Sequence, residues 1–241
     1  MFIMNASFII VLFSAILPAL LLAGYIFFRD REHPEPSVLL LKGFFYGIVS
    51  ALLAMSIGIV MKIFIYLPSE VTNGLDAAWT AFAFAALPEE SAKLLMLWLL
   101  LRRNPEFDEH LDGVVYACCV GLGFATFENV LYLFNAGDDW VLTAVMRGLL
   151  SVPGHFFFAV LMGYYYSLVH FGYHRSQNRF LVLAAPVLAH GIYDAIAMSS
   201  NTTEGLQMVF FIALLLFCNE LRKLCQRHIN DLVEADALHH Y

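Results

Sequence analysis

Seven apolar stretches, at about 6–28, 38–63, 77–101, 114–134, 141–169, 180–199 and 205–222, occupy most of this 241-residue chain. The polar connections between them are no longer than about a dozen residues. A helix that crosses about 30 Å of hydrocarbon needs about 20 largely apolar residues, so each stretch is long enough to span a bilayer. The reading is an all-α, polytopic membrane helix bundle with about seven transmembrane helices. Composition agrees: 61% of the residues are apolar, against roughly 45–50% in soluble proteins, and a mean hydropathy of +0.73 is spread along the chain. The first stretch lacks a preceding basic region and is too long for a signal-peptide core, so it reads as a retained helix. No repeat, low-complexity segment or soluble domain stands out. The whole of 1–241 is therefore read as one integral-membrane domain, and the tail after 222, ending His239 and His240, as a solvated end.

Orientation follows from the arginines and lysines. Arg29, Arg31, Arg102, Arg103, Arg175, Arg179, Arg222, Lys223 and Arg227 all fall in alternate connections or the tail, and the connections around 64–76, 135–140 and 200–204 hold none. The positive-inside rule then puts the N-terminus outside and the C-terminus in the cytoplasm. With 13 Lys+Arg against 20 Asp+Glu, no basic face exists for phosphate contacts, which excludes a nucleic-acid partner. The partner that composition demands is the lipid bilayer. Cys118, Cys119, Cys218 and Cys225 lie in or at the end of apolar stretches and read as small hydrophobes.

Polar side chains at mid-bilayer cost roughly 2.5–3.5 kcal/mol each on insertion scales, so those present need a reason. The third stretch carries Glu89, Glu90 and Lys93, the fourth Glu128 and Asn129, the fifth His155, the sixth His190 and Asp194. At about 1.5 Å per helical residue, four consecutive helices bring these groups to one depth, slightly outward of the midplane. Lys93 is spaced i,i+4 from Glu89 and i,i+3 from Glu90, within reach of both. His190 and Asp194 are also i,i+4, which lets a carboxylate fix the imidazole. Pro88 and Pro153 precede site residues by one or two positions and Pro186 precedes His190 by four, so the helices should open there and free carbonyls for a wet cavity. Arg147, about 12 Å further out, reads as an interfacial anchor or a partner of Asp138 or Asp139. Gly121 and Gly123 read as close helix packing.

Carboxylates with imidazoles can hydrolyse an amide. A Glu serves as general base while a His stabilises the oxyanion, or His155, His190 and Glu128 make a His₂Glu set for Zn2+. No HExxH or GxSxG occurs, and Asp194 is the one deep aspartate. As a mere packing salt bridge, Glu89–Glu90–Lys93 leaves one carboxylate surplus. The alternative function is a proton- or ion-coupled transporter that uses the buried Glu/Lys/His cluster as a relay, although no inverted repeat is visible. A non-catalytic membrane scaffold is a third class.

The segments EExxK (Glu89–Lys93), FxxxEN (Phe124–Asn129), Pro153-Gly154-His155 and HGxxD (His190–Asp194), in order and one per helix, resemble the PrsW family of bacterial intramembrane proteases. That family is related to the CAAX prenyl endopeptidases, from which this sequence departs by carrying Glu128 where those enzymes have His. The resemblance covers roughly 77–199, the catalytic core, and leaves 6–28, 38–63 and 205–222 as peripheral helices. It implies a multi-pass protein of the bacterial inner membrane that cuts a single-span, anti-sigma-factor-like membrane protein near its extracytoplasmic side. The implied catalytic set is Glu89, Glu90, Glu128, His155 and His190, supported by Lys93, Asn129 and Asp194. Either of Glu89 and Glu90 can be the base.

Overall fold

The structure, a computed structural model, describes residues 6–200, 202 and 205–239. Among these it contains seven helices and no strand. Helix α1 is Ala6–Arg29 and α2 is Ser37–Phe64. Helix α3 is α-helical over Gly74–Trp79, π-helical over Thr80–Ala86 and α-helical again over Leu87–Leu101. Helix α4 is Asp112–Asn135. Helix α5 joins Trp140–Met146, a π-helical Arg147–Ser151 and Val152–His170. Helix α6 is Arg175–Ser199 and α7 is Gln207–His239. Five of them, α1, α2, α4, α5 and α6, are long and apolar enough to cross a membrane. Helices α3 and α7 depart from that pattern because of charges inside their apolar runs, Glu89, Glu90 and Lys93 in one and Glu220, Arg222 and Lys223 in the other.

The two π-helical segments lie just upstream of Pro88 and Pro153. A proline has no N–H to donate and its ring collides with the carbonyl one turn back; an extra residue in that turn relieves the collision and leaves carbonyls unbonded. At Pro88 and Pro153 the helix opening expected from the prolines therefore takes the form of a widened turn that leads directly into site residues, whereas α6 runs through Pro186 as continuous α-helix and the opening expected there does not occur.

Helix α4 is the centre of the bundle, buried almost continuously from Asp112 to Thr126. Lipid tails are as apolar as leucine, so helices in a bilayer associate through close packing of small residues. Gly123 sits against the Phe44 backbone of α2, and Gly47 of α2 faces the Val120 carbonyl; a side chain at either would force the helices apart. Gly121 packs on Ala159 of α5. Large apolar side chains such as Phe13, Leu21, Phe45, Ile59 and Ile63 point outward from α1 and α2, as expected for peripheral helices in lipid.

The connections 30–36, 102–111 and 171–174 gather at one end. There His33 Nδ1 is 2.7 Å from Glu109 Oε1 and the His110 ring stacks on Phe171 with centroids 4.0 Å apart. The tail departs from the sequence expectation. Rather than a solvated end, it continues α7 to His239, burying Cys225, Ile229, Leu232 and Asp236 along one face. Asp236 accepts the backbone N–H groups of His110 (2.7 Å) and Leu111 (2.9 Å), and Arg29 donates to Asn230 at 2.8 Å. The spacing of those buried positions, i, i+4, i+7 and i+11, is a helical stripe that the surrounding charges obscure. His240 lies outside the described residues.

Candidate active site

All eight predicted site residues meet at the interface of α3, α4, α5 and α6. Lys93, one turn after the glutamates on α3, is the hub. Its ammonium is 2.7 Å from Glu90 Oε1, 3.7 Å from Glu89 Oε2 and 3.1 Å from His155 Nδ1, and lies 3.9 Å over the Phe124 ring. An ammonium can only donate, so His155 accepts at Nδ1 and donates from Nε2 to Glu128 Oε2 at 2.9 Å. Glu128 Oε2 also receives Arg147 Nη2 at 2.6 Å.

His190 has a carboxylate at each ring nitrogen. Nδ1 is 2.8 Å from Glu90 Oε1; Nε2 is 3.3 Å from Asp194 Oδ2 and 3.9 Å from Glu89 Oε2. Both nitrogens donate when the ring is an imidazolium. The ring stacks on Phe158, centroids 4.7 Å apart, which fixes its plane.

The two adjacent glutamates have different surroundings. Glu90 is fully enclosed, with Oε1 shared between Lys93 and His190. The Glu89 side chain is 17% exposed and borders a cavity of about 320 Å³ with Glu128, His155, His190 and Asp194. Its Oε2 has no hydrogen-bond partner. That oxygen and Glu90 Oε2, which has none either, are both enclosed, but of the two residues Glu89 alone borders the cavity. A second cavity of about 490 Å³ shares Glu89, Glu128 and Tyr132 and extends to Ala54, Met55 and Ile59 of α2.

Arg147 departs from the sequence expectation. It partners neither Asp138 nor Asp139 but Glu128, and its Nε donates to Asn129 Oδ1 at 2.9 Å while the guanidinium covers Tyr132 at 3.9 Å. Asn129 in turn donates to the Ala15 carbonyl of α1 at 2.9 Å. Two signals could have found Arg147: Glu128 needs a cation at mid-bilayer, and Arg147 lies eight residues, about two turns, before His155.

The geometry also alters the expected ion-binding set. The carboxylate whose oxygen lies within 4.8 Å of donor atoms of both His155 and His190 is Glu89. Glu128 is taken up instead by Arg147 and His155. In kind and spacing, Glu89, His155 and His190 fit a His₂Glu set, and Glu89 Oε2 is an unpartnered donor. The lone pair of His155, however, is already held by Lys93.

Over residues 35–218 the sequence matches the family described as PrsW family intramembrane metalloprotease. The chain belongs to the PrsW family. It is 31% identical to "Protease PrsW" of Clostridioides difficile (strain 630), over 83% of this chain and 84% of that protein. It is 33% identical to the protein of the same name from Geobacillus kaustophilus (strain HTA426), over 83% and 85%, and 32% identical to that of Bacillus subtilis (strain 168), over 83% and 88%. No solved structure matches the chain. The family assignment makes it a multi-pass membrane protein and a protease, and the PrsW-like motifs are the segments that converge on the cavity.

Proposed function

We propose that this chain is an endopeptidase of the bacterial inner membrane that hydrolyses a peptide bond of a membrane-protein substrate with water activated by Glu89. The observation that carries this reading is the part-exposed Glu89 carboxylate at the cavity wall, whose enclosed Oε2 makes no hydrogen bond and lies 3.7 Å from Lys93 and 3.9 Å from His190 Nε2. Glu89 takes the proton of a cavity water as its oxygen attacks the scissile carbonyl. The His190 Nε2–H faces the developing oxyanion, held in place by Glu90, Asp194 and the Phe158 ring. Glu89 then returns its proton to the leaving amine. Lys93 positions Glu90 and His155, and Arg147 with Asn129 positions Glu128 against α1. Extending from the site to α2, the larger cavity supports the arrival of a substrate segment from the lipid side. By resemblance the substrate is a single-span, anti-sigma-factor-like protein.

A second reading, assistance by a divalent ion such as Zn2+, is favoured by the Glu89, His155 and His190 grouping and by the family's description as metalloproteases. Such an ion would lower the pKa of a bound water and polarise the carbonyl. Loading it requires Lys93 to leave His155 and His190 to give up its Nε2 proton, so Lys93 competes with it for the same imidazole. The transporter alternative has no support from the relatives, which are named as proteases.

The test is cleavage of a single-span membrane substrate by the purified, reconstituted protein, with metal content measured alongside. Cleavage should fall about 10²-fold in Glu89→Gln and in His190→Ala and should survive exhaustive chelation. Solute or ion flux without cleavage would overturn the protease reading. Stoichiometric zinc, with activity lost on chelation and restored by zinc alone, would replace the metal-free mechanism by the metal-assisted one.

A further inference from the structure

The two cavities that meet at Glu89 differ in lining. Both include Glu89, Glu128 and Tyr132. The smaller adds polar groups, among them Arg147, Ser151, His190 and Asp194. The larger, about 490 Å³, runs between the second half of α2 and the π-helical turn of α3, and away from the shared residues it is apolar except for Lys62 and Thr80. Glu89 and Thr80 both line it and stand nine residues, or about 13 Å, apart on α3. That length matches about four residues of extended chain at about 3.3 Å each.

The α2 wall of this cavity includes Ala54, Met55, Gly58 and Ile59, with Phe84 and Phe127 contributed by α3 and α4. Ala54 packs in one cluster with Ala92 and Phe124, which sets it level with the turn after Glu89. Gly58 is one turn further along the same face, about 6 Å beyond Ala54 toward the 65–73 connection. The glycines of α2 divide by use. Gly43 and Gly47 sit against α4, where a side chain would collide with it, whereas a Cβ at Gly58 would meet nothing within 4 Å. Close helix packing therefore gives no reason for Gly58, and glycine inside a helix is destabilising. Its missing side chain leaves room in the cavity.

Lipid tails are as apolar as the cavity wall, so a side chain gains little there from leaving water. It is selected by fit, because one that fills the space makes dispersion contacts that a small one forfeits. A charged side chain would be stranded without a partner. Resting on the reading of Glu89 as the base, we propose that this face of α2 is the wall of a specificity subsite. It takes one large apolar side chain of the substrate, Leu, Ile, Met or Phe, within about three residues of the scissile bond and on one side of it only. Gly58 and Phe84, on opposite walls, set its width.

The test uses the purified, reconstituted full-length protein and a single-span substrate whose cleavage position is mapped by mass spectrometry. Each of the three residues on either side of the cut is changed in turn to Leu, Ala and Asp, and kcat/KM is compared. At one position, on one side, the Leu substrate should be cut at least about tenfold faster than the Ala substrate and the Asp substrate more slowly still, with no such preference on the other side. Gly58→Leu should lower cutting of the Leu substrate about tenfold or more while leaving the Ala substrate within about twofold. Phe84→Ala should shift the preference from Leu toward Trp, and Glu89→Gln should lower every substrate alike. If one of the two subsite variants fails to fold, the other decides. Equal losses on the Leu and Ala substrates in Gly58→Leu, or a preference unchanged in the variants, would overturn the subsite and leave the protease reading standing. No cleavage of any substrate by the wild type would overturn the protease reading itself, and the subsite with it.

Discussion

The two ends of α4 carry two polar clusters of opposite design. Around Glu128, in the apolar stretch, four carboxylates (Glu89, Glu90, Glu128, Asp194) meet four basic groups (Lys93, Arg147, His155, His190). Around Asp112, sixteen residues or about 24 Å earlier on the helix, five carboxylates (Asp30, Glu35, Glu109, Asp112, Asp236) are paired with two imidazoles, while Arg29 and Arg31 line the adjoining cavity and turn to Asn230 and the Phe28 ring. Hydrocarbon explains the first count: each unmatched charge there carries the full insertion penalty, so acids and bases balance. The loop end adjoins water, where an unmatched carboxylate costs far less. The balance also isolates Glu89. Glu90 and Glu128 each hold a basic group within 2.7 Å and Asp194 lies 3.3 Å from His190, whereas the nearest basic group to Glu89 is Lys93 at 3.7 Å, which leaves Glu89 the least tightly paired of the four.

The sharpest way to break this comparison is to remove the hub. Lys93→Met leaves Glu90 and Glu89 with His190 alone as basic partner and His155 without its donor, which should cost about 3–5 kcal/mol and be visible as a lower unfolding midpoint and faster proteolysis of the variant itself. An unchanged midpoint would mean that the cluster is not charge-balanced through Lys93. Arg147→Met should cost less, about 1–3 kcal/mol, because His155 still serves Glu128. Its effect on cleavage should be larger than its effect on stability, since Glu128 and Tyr132 border both cavities; equal losses in the two would make Arg147 purely structural.

Much of this was legible in the sequence. The seven helices fall within a few residues of the apolar stretches, apart from the continuation of α7, and the charged residues inside them announce the cluster because hydrocarbon makes each one expensive. What the sequence leaves ambiguous is direction. Glu89 and Glu90 are neighbours in one motif, and only the rotation of α3 about its axis decides that Glu90 turns into the bundle and Glu89 to the cavity. Arg147 was misplaced because a straight helix puts it too far out, whereas it reaches Glu128 from the head of a π-turn. The Asp112 group was illegible for another reason. Its members come from connections 30–36 and 102–111, and no periodicity relates residues that only the docking of loops brings together.

Smaller effects sharpen the contrast. Asp30→Asn should leave substrate cleavage within about twofold of wild type, because sites so far apart contribute independently; a large loss of cleavage would couple the two clusters. Reporter fusions should place the 102–111 connection in the cytoplasm and the 65–73 connection outside, without effect on stability. The same side for both would undo the orientation on which the inward position of the carboxylate end rests.

The most direct test compares Glu89→Gln with Glu90→Gln, measuring cleavage of a reconstituted single-span substrate and the unfolding midpoint on the same preparations. If Glu89 is the base and Glu90 a positioning residue, both variants lose about 10²-fold or more in cleavage, but only Glu90→Gln loses stability, because it strips Lys93 of its closest partner, while Glu89→Gln keeps or raises the midpoint. Near-normal turnover in Glu89→Gln, or a midpoint that falls as far as that of Glu90→Gln, would contradict the assignment of Glu89 as the catalytic base.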